Sequence, residues 1–510
     1  MTTLSTHKKI DENAMFSAID IGSTKVVALT GYRNERGEIV VLGHGTVNSV
    51  NLDIDKEKEK LNIENIRKAI HAAVDAAHKE AGFFCKNVVV GTAGRFMRSS
   101  LNRIDFKRVM PFESITSEEI DRQCKQKFNE LVAYEEEILH VKELQYVVDG
   151  QFYNTAPVGK MGSSVSLNVC IMKMKREYLQ QLRLLIEQCG LKVAEFMLEP
   201  LASSAAVLTE NERNAGCTLV DIGGGTTDMA LYEAGKLQFA EVIPLGGNCI
   251  TNDIRQIHII NALDGGEIRY ATEDWYLAEQ IKLRYGKCWT DESDTNQTIE
   301  IKTSARQDLL KISLFGVAQT IQNRMNEIVA SVHNMIRYSN CSAATKQGIV
   351  LTGGGAELKY IKEFFEQKFL EQRLHCEVRI AAPNRVEVRS QTFDCNNPRY
   401  ATIVGLLMRA AELHAKTYIP PVETPKAEIV EKPQEQPQAQ APTPTQAPVA
   451  TQAPPKAPET KVKPEPKPEP PKIKETVAKS KKNIISRISK TVGNIAGAVF
   501  TDPQNDESKN

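Results

Sequence analysis

One repeat constrains this chain more than any other feature. AIDIGSTKVVALTG, from Ala18 to Gly31, returns about 200 residues later as LVDIGGGTTDMALYEAG, from Leu219 to Gly235. Each copy is an apolar run ending in Asp-Ile-Gly, a turn of Gly, Ser and Thr, and a second apolar run. That is the pattern of two strands joined by a tight hairpin. The surrounding segments alternate. VVVGTAG and LNVCIMKM read as strands, whereas IENIRKAIHAAVDAAHKEAG and YLQQLRLLIEQCG space their apolar residues as helices do. Thr116-Ser117-Glu118-Glu119 reads as a capping box opening a helix through Leu131. The alternation specifies an α/β protein, and the repeat specifies two similar halves around a cleft.

Proline sets the outer limit of that body. About 16 of the 23 prolines lie between Pro420 and Pro471, among Gln, Ala, Lys and Glu. Such a composition buries too little apolar surface to offset chain entropy, so it is expected to form a disordered, partly extended linker. Its reach is at most about 150 Å at ~3.1 Å per residue. Beyond it comes KKNIISRISKTVGNIAGAVF, from Lys481 to Phe500. On a helical wheel Ile484, Ile485, Ile488, Val492, Ile495, Ala496, Val499 and Phe500 share one face, with Arg487, Lys490, Ser486 and Asn494 opposite. Lys481 and Lys482 lie where long stems snorkel. A basic amphipathic helix of this kind suits an anionic membrane surface, or else docks on a partner protein or on the chain's own body.

Composition narrows the function classes. Lys+Arg and Asp+Glu both number 64, which argues against nucleic acid as the main partner. The ten cysteines form no C-x-x-C pair, the usage expected of reduced thiols in a cytoplasmic compartment. The first twenty residues lack the apolar run of a signal peptide, and no stretch approaches ~18 continuous apolar residues.

The two loops are the candidate chemistry. Gly22, Ser23 and Thr24 in one, and Gly223, Gly224, Gly225 and Thr226 in the other, offer backbone N–H groups and hydroxyls with little bulk in the way of phosphate oxygens. Asp20 and Asp221, at the strand ends, would hold Mg²⁺ directly or through its waters. Neither loop is a Walker A motif, and neither leads into a helix as a dinucleotide-binding turn does. A third loop, Gly353-Gly354-Gly355 in GIVLTGGGAELKYIKEFFEQKF, would let a base or ribose lie against backbone. Glu279 and Lys282 sit three apart on one helical face, as an ion pair or as ligands of ribose hydroxyls.

DIGSTK, then DIGGGTTD, then TGGGAEL resembles the phosphate-1, phosphate-2 and adenosine pattern of the actin and heat-shock-chaperone ATPase superfamily. Within it the sequence resembles the bacterial FtsA family, through ILHVKELQYVVDG, APVGKMG, LEPLASSAAVLTENER, IPLGGNCITNDI and NPRYATIVGLL. The resemblance implies an actin-like (ribonuclease H-like) two-half ATPase fold with ATP and Mg²⁺ in the cleft, and polymerisation of the chain with itself. It implies docking of the FtsZ C-terminal peptide on the small lobe of the second half, contacts with other division proteins, and a place on the cytoplasmic face of the membrane at the division site.

By the same resemblance Gly22, Ser23, Thr24, Gly223, Gly224, Gly225 and Thr226 meet the phosphates, Gly354 and Gly355 border the adenosine, and Glu279 and Lys282 lie near the ribose. Lys25 either reaches a phosphate or faces solvent. Glu199 either orients the attacking water or makes an interdomain contact. The expected organisation is a flexible start (1–15), subdomain 1A (16–86 and 162–198), inserted subdomain 1C (87–161), 2A (199–245 and 305–413) and 2B (246–304). A linker (414–478), a membrane-targeting helix (479–500) and a disordered end (501–510) follow. RQIHIINALDGGEIRYATEDWY, after Ile254, is longer than the family's usual turn. The weighed alternatives are a soluble sugar or acetate kinase of the same superfamily and an actin-like pilus-assembly adaptor.

Overall fold

The computed structural model describes residues 14–48, 63–92, 94, 96–260, 271–290, 292–301, 309–339, 341, 344–417 and 474–477. The chain opens with β1 (Met15–Ile21), β2 (Lys25–Arg33), β3 (Ile39–Asn48), α1 (Ile63–Ala81) and β4 (Asn87–Thr92). There follow β5 (Arg98–Lys107), α2 (Ser117–Glu130), β6 (Glu136–Val148), β7 (Gln151–Tyr153) and β8 (Ser164–Lys175), then α3 (Arg176–Gln188) and β9 (Lys192–Leu198). The second half runs through α4 (Glu199–Val207), α5 (Glu210–Ala215), β10 (Cys217–Ile222), β11 (Thr227–Glu233), β12 (Lys236–Ile243), α6 (Gly247–Ile254) and α7 (Ala271–Tyr285). It continues with β13 (Gln297–Ile301), β14 (Leu310–Ser313), α8 (Leu314–Tyr338), β15 (Ile349–Thr352), α9 (Ile361–Glu371), β16 (Val378–Ile380), β17 (Glu387–Val388) and α10 (Ala401–Thr417). Finally, β18 covers Lys474–Val477.

The repeat in the sequence is a repeat in the fold. One sheet runs β17-β3-β2-β1-β4-β9 and the other β12-β11-β10-β15-β16. In each, a three-stranded antiparallel meander is followed by two parallel strands. Their central strands are apolar on both faces because helices cover both sides. Val88, Val89 and Val90 of β4 are buried, each worth roughly 1.5–3 kcal/mol relative to exposure.

Two helices join the halves. α4 packs against α10, and α10 lies on β1, β2 and β4 of the first half. A Cβ on Gly405 would overlap the carbonyl oxygen of Ala202, so the two helices approach as closely as backbone allows. The expected assignment of the whole span 305–413 to the second half is therefore corrected. Ile403, Val404, Leu406 and Leu407 of α10 lie in a core cluster that holds Ile19, Val27 and Val89 of the first sheet together with Leu219 and Ala230 of the second.

Other boundaries move for the same reason, long-range pairing. β4 was expected to begin the insertion, but it pairs parallel with β1 and β9 inside the first sheet. β8 was expected to follow the insertion, yet it pairs with both β5 and β6 in a separate sheet, β5-β8-β6-β7. The inserted subdomain thus spans about 98–175 rather than 87–161. Its helix α2 is capped by Thr116, whose Oγ1 accepts from the Glu119 N–H at 3.2 Å. The other half of the expected capping box is absent, because the Glu119 carboxylate pairs bidentately with the buried Arg108 at 2.9 Å.

The small lobe extends past the expected 304, since β14 pairs antiparallel with β13. After Ile254 the chain enters a π-helix at Arg255–Ile260; residues 261–270 of the long segment lie outside the described residues. β1 starts at Met15, α10 continues to Thr417, and Lys474–Val477 is a strand; the rest of the expected flexible start and linker, 1–13, 418–473 and 478, lies outside the described residues. The expected membrane-binding residues, from Lys482 to Phe500, and the end 501–510 lie outside the described residues.

Candidate functional site

The two Gly-rich loops are built alike. Ile21 pairs with Val26 across the first hairpin, and Ile222 with Thr227 across the second. The Gly22 N–H donates to the Lys25 carbonyl at 3.0 Å, and the Gly223 N–H to the Thr226 carbonyl at 2.9 Å. Each hairpin sets its aspartate two residues before the first loop glycine, on a buried strand. The loops also face each other: a Cβ on Gly224 would run into the Thr24 side chain, and one on Gly225 into Ser23. Asp20, Asp221, the two loops and Glu199 therefore converge at the junction of the halves.

Burial controls the charges here. Burial pushes Asp20 up to about 6, with Lys25 opposing the rise and Asp221 adding to it. Glu199 is raised well above the ordinary carboxylate range, by burial first and then by Asp20, Asp228 and Asp221. It opens α4, and a Cβ on Gly91 would lie 3.6 Å from both the Glu199 Cγ and an Asp20 carboxylate oxygen. Asp221 is also raised by burial, but Ser203 Oγ at 2.5 Å and Thr402 Oγ1 at 3.1 Å both donate to its Oδ2. Those hydroxyls come from α4 and α10, so the joining helices orient the second aspartate.

Lys25 is engaged within the chain. Its Nζ donates to the Arg399 carbonyl at 3.0 Å and lies 4.4 Å from the Tyr400 ring centroid. Burial lowers its pKa to about 8, despite the pull of Asp20. Glu279 and Lys282 form the i,i+3 ion pair at 2.8 Å. Lys282 also donates to the Gly247 carbonyl at 3.0 Å and Thr251 Oγ1 at 2.8 Å. Gly247 in turn donates to the Gly223 carbonyl at 2.9 Å, so the pair buttresses the second loop.

The third loop divides its labour. Gly353 has φ +83°, and a Cβ there would overlap Asp221, so only glycine fits. Gly355 packs against Ile222, whereas nothing lies within 4 Å of a Cβ on Gly354. Beside it Glu357 accepts from Asn397 Nδ2 at 2.7 Å and pairs with Arg399.

Sequence reasoning missed Asp228, which register places opposite Asp221. Its Oδ1 is buried with no hydrogen-bond partner, and burial followed by Asp221 raises its pKa well above the usual range. The second aspartate of DIGGGTTD was the available signal. Ser203 and Thr402 were missed because their partner is distant in sequence.

The Asp20 Oδ1 is likewise buried without a hydrogen-bond partner. Among the described residues, no group of three His, Cys, Asp or Glu side chains could hold a metal by itself. Orphaned carboxylate oxygens in a sparse donor set fit Mg²⁺, which takes few carboxylates and keeps waters or phosphate oxygens.

A family profile described as "Cell division protein FtsA" matches residues 218–405. Cell division protein FtsA of Pseudomonas aeruginosa is 32% identical over 399 residues, covering 78% of this chain and 90% of that protein. The Neisseria meningitidis protein of the same name is 32% identical over 398 residues, covering 78% and 90%. Among solved structures, a PilM-PilN type IV pilus biogenesis complex matches with a TM-score of 0.53 at 13% identity, over 78% of this chain and 98% of that one. That last likeness is one of fold. The curated relatives favour neither the small-molecule kinase nor the pilus adaptor. With such similarity along nine-tenths of its relatives' length, the chain belongs to the FtsA family of cell-division proteins and has an actin-like two-half fold.

Proposed function

We propose that this cell-division protein binds ATP with Mg²⁺ between its two Gly-rich loops, polymerises with the nucleotide bound, and tethers FtsZ to the cytoplasmic face of the membrane. The opposed hairpins with their orphaned carboxylate oxygens carry the reading. Gly22, Ser23 and Thr24 would receive phosphate oxygens from one side, and Gly223 to Thr226 from the other. Asp20 and Asp221 would hold Mg²⁺, which neutralises phosphate charge. Gly354 leaves room for the adenosine, and Glu279 and Lys282 hold the second loop in shape through Gly247. Glu199, with Asp228 beside it, is the group suited to orient water, its proton held by burial. Positioning and charge neutralisation dominate phosphoryl transfer, so this constellation is better suited to binding than to fast turnover.

The basic, apolar peptide from Lys481 to Phe500 would bind anionic lipid, weakly alone and firmly when many tails act in one polymer. FtsZ would dock through its C-terminal peptide on the small lobe. Among the described residues, no helix is long and apolar enough to cross a membrane. Purified protein with ATP and Mg²⁺ is expected to pellet with anionic liposomes and to bring FtsZ with it. Removal of residues 481–500 is expected to abolish both. Undiminished pelleting of the truncated protein would overturn the tether, and failure to retain labelled ATP in equilibrium dialysis would overturn the nucleotide site.

A further inference from the structure

The small lobe carries a three-stranded sheet ordered β14-β13-β18. Two of its strands are local, but β18 comes from beyond the proline-rich segment, more than 170 residues after β13. The pairing is antiparallel over four residues: Gln297 opposite Val477, Thr298 opposite Thr476, Ile299 opposite Glu475 and Glu300 opposite Lys474. Without β18, β13 would present a row of unpaired N–H and C=O groups on one side, the usual template for strand addition.

We propose that the outer edge of β13 is a strand-addition site, and that its occupant is the chain's own segment Lys474–Val477. Two features of the sequence suit that segment to the edge. Proline cannot donate to a ladder, and Pro471 is the last proline before Pro503; KIKETVAK is thus the first stretch beyond the proline-rich segment that can pair. Its Ile473, Thr476 and Val477 are β-branched, as strands favour. The register places Thr476 at the position opposite Thr298 and Lys474 at the position opposite Glu300, which defines the edge residue by residue. On β13 itself, Ile299 and Ile301 are buried in the second-half core, which fixes the face and register of the edge.

The site has a consequence for the end of the chain. Only residues 478–480 separate β18 from Lys481, so strand addition holds the start of the basic, apolar peptide within about 13 Å of β13, at ~3.3 Å per residue. Released, the same peptide has the whole proline-rich segment as its leash. An external extended peptide adding to β13 would displace β18, and occupation of this edge would then report on where the peptide is held. The strand site stands whether or not the peptide binds lipid.

The test is a pair of engineered thiols in the full-length protein. Thr298→Cys with Thr476→Cys places thiols at directly opposed positions. Thr298→Cys with Glu475→Cys puts the second on the other face of the strand. Under mild oxidation, the opposed pair is expected to form an intramolecular disulfide at least tenfold faster, identified by peptide mapping against the ten native cysteines. Equal rates would overturn the register, and a disulfide found only between molecules would overturn the occupant, giving the edge to a second copy. Hydrogen exchange supplies a readout free of thiols. Thr476→Pro is expected to lower amide protection within Gln297–Ile301 at least tenfold while leaving β10 unchanged. Undiminished protection of β13 would overturn the proposal.

Discussion

Aligned through Asp20 and Asp221, the first hairpin has Lys25 where the second has Thr226, and Val27 where the second has Asp228. The closing hydrogen bonds, 3.0 and 2.9 Å, show that these replacements leave the loop geometry alone. They change its charge. The first hairpin pairs one aspartate with a cation that faces it; the second holds two aspartates at directly opposed positions, relieved first by hydroxyls and, at Asp221, to a smaller extent by Lys25 across the junction. Support differs too. Gly247 and Asn248 donate to the Gly223 and Gly224 carbonyls, at 2.9 and 2.7 Å, whereas the first loop is held through Lys25 on the chain leading into α10. A duplicated frame has thus been divided into a half-neutralised side and a carboxylate-rich side, the asymmetry a cation and a phosphate chain would need.

The largest expected effect removes the backing of the second loop. A Cβ on Gly246 would come within 2.6 Å of the Gly224 carbonyl oxygen and 2.8 Å of that of Gly223, both backbone atoms that cannot swing aside. Gly246→Ala is expected to weaken ATP binding about 100-fold and to cost up to about 3 kcal/mol of stability through overpacking. Gly22→Ala meets only the Lys25 carbonyl at 3.2 Å and is expected to cost about 1 kcal/mol. Equilibrium dialysis and denaturant midpoints check both; equal losses would break the comparison.

Next comes pH. Asp20 titrates at about 6 in the folded protein against 3.8 unfolded, so the folded state binds the extra proton between those values. Stability without nucleotide is therefore expected to fall as pH rises from about 4 through about 6, by on the order of 2–3 kcal/mol, and then to level. Asp20→Asn should remove Asp20's contribution to that slope. Binding of Mg²⁺ with ATP should run oppositely, tightening as Asp20 ionises. Urea midpoints across pH 4–8 test the first statement and calorimetry the second.

Converting the second hairpin towards the first is the third comparison. Asp228→Val supplies the residue type found at Val27, which is fully buried. It removes a buried carboxylate oxygen lacking a partner, so stability is expected to rise by about 2 kcal/mol. Any ATP turnover should fall at the same time, since the carboxylate beside Glu199 is lost. A midpoint that does not rise would mean that Asp228 is compensated in solution by something the second hairpin recruits.

Why these differences were only partly legible follows from how each is encoded. Strand–turn–strand patterning is local, so both hairpins, both aspartates and the α/β class could be read directly. The pairing of β4 with β1 and β9 is not local, and VVVGTAG reads the same at the head of an insertion as inside a parallel sheet. Asp228 is hidden because the phosphate-loop pattern resides in glycines, while register alone sets it against Asp221. Ser203 and Thr402 reach Asp221 from 18 and 181 residues away, contacts that no periodicity announces. The tail announces itself by its amphipathic face, whereas the four residues that pair with β13 read as the end of a linker.

The smallest expected effect concerns the cation of the first hairpin. Lys25→Met keeps most of the stem but removes the bond to the Arg399 carbonyl and the ammonium over Tyr400, together worth about 1–2 kcal/mol. Burial of the charge opposes that gain and has already lowered the Lys25 pKa to about 8, so the net loss should be about 1 kcal/mol or less. Stability alone would then barely separate an electrostatic role from a packing role. The pH profile separates them. Lys25 is what holds Asp20 down against burial, so its removal should move the Asp20 transition upward from about 6. A transition that stays in place would make Lys25 a strut between the first loop and α10, and the charge asymmetry of the two hairpins would then rest on Asp228 alone.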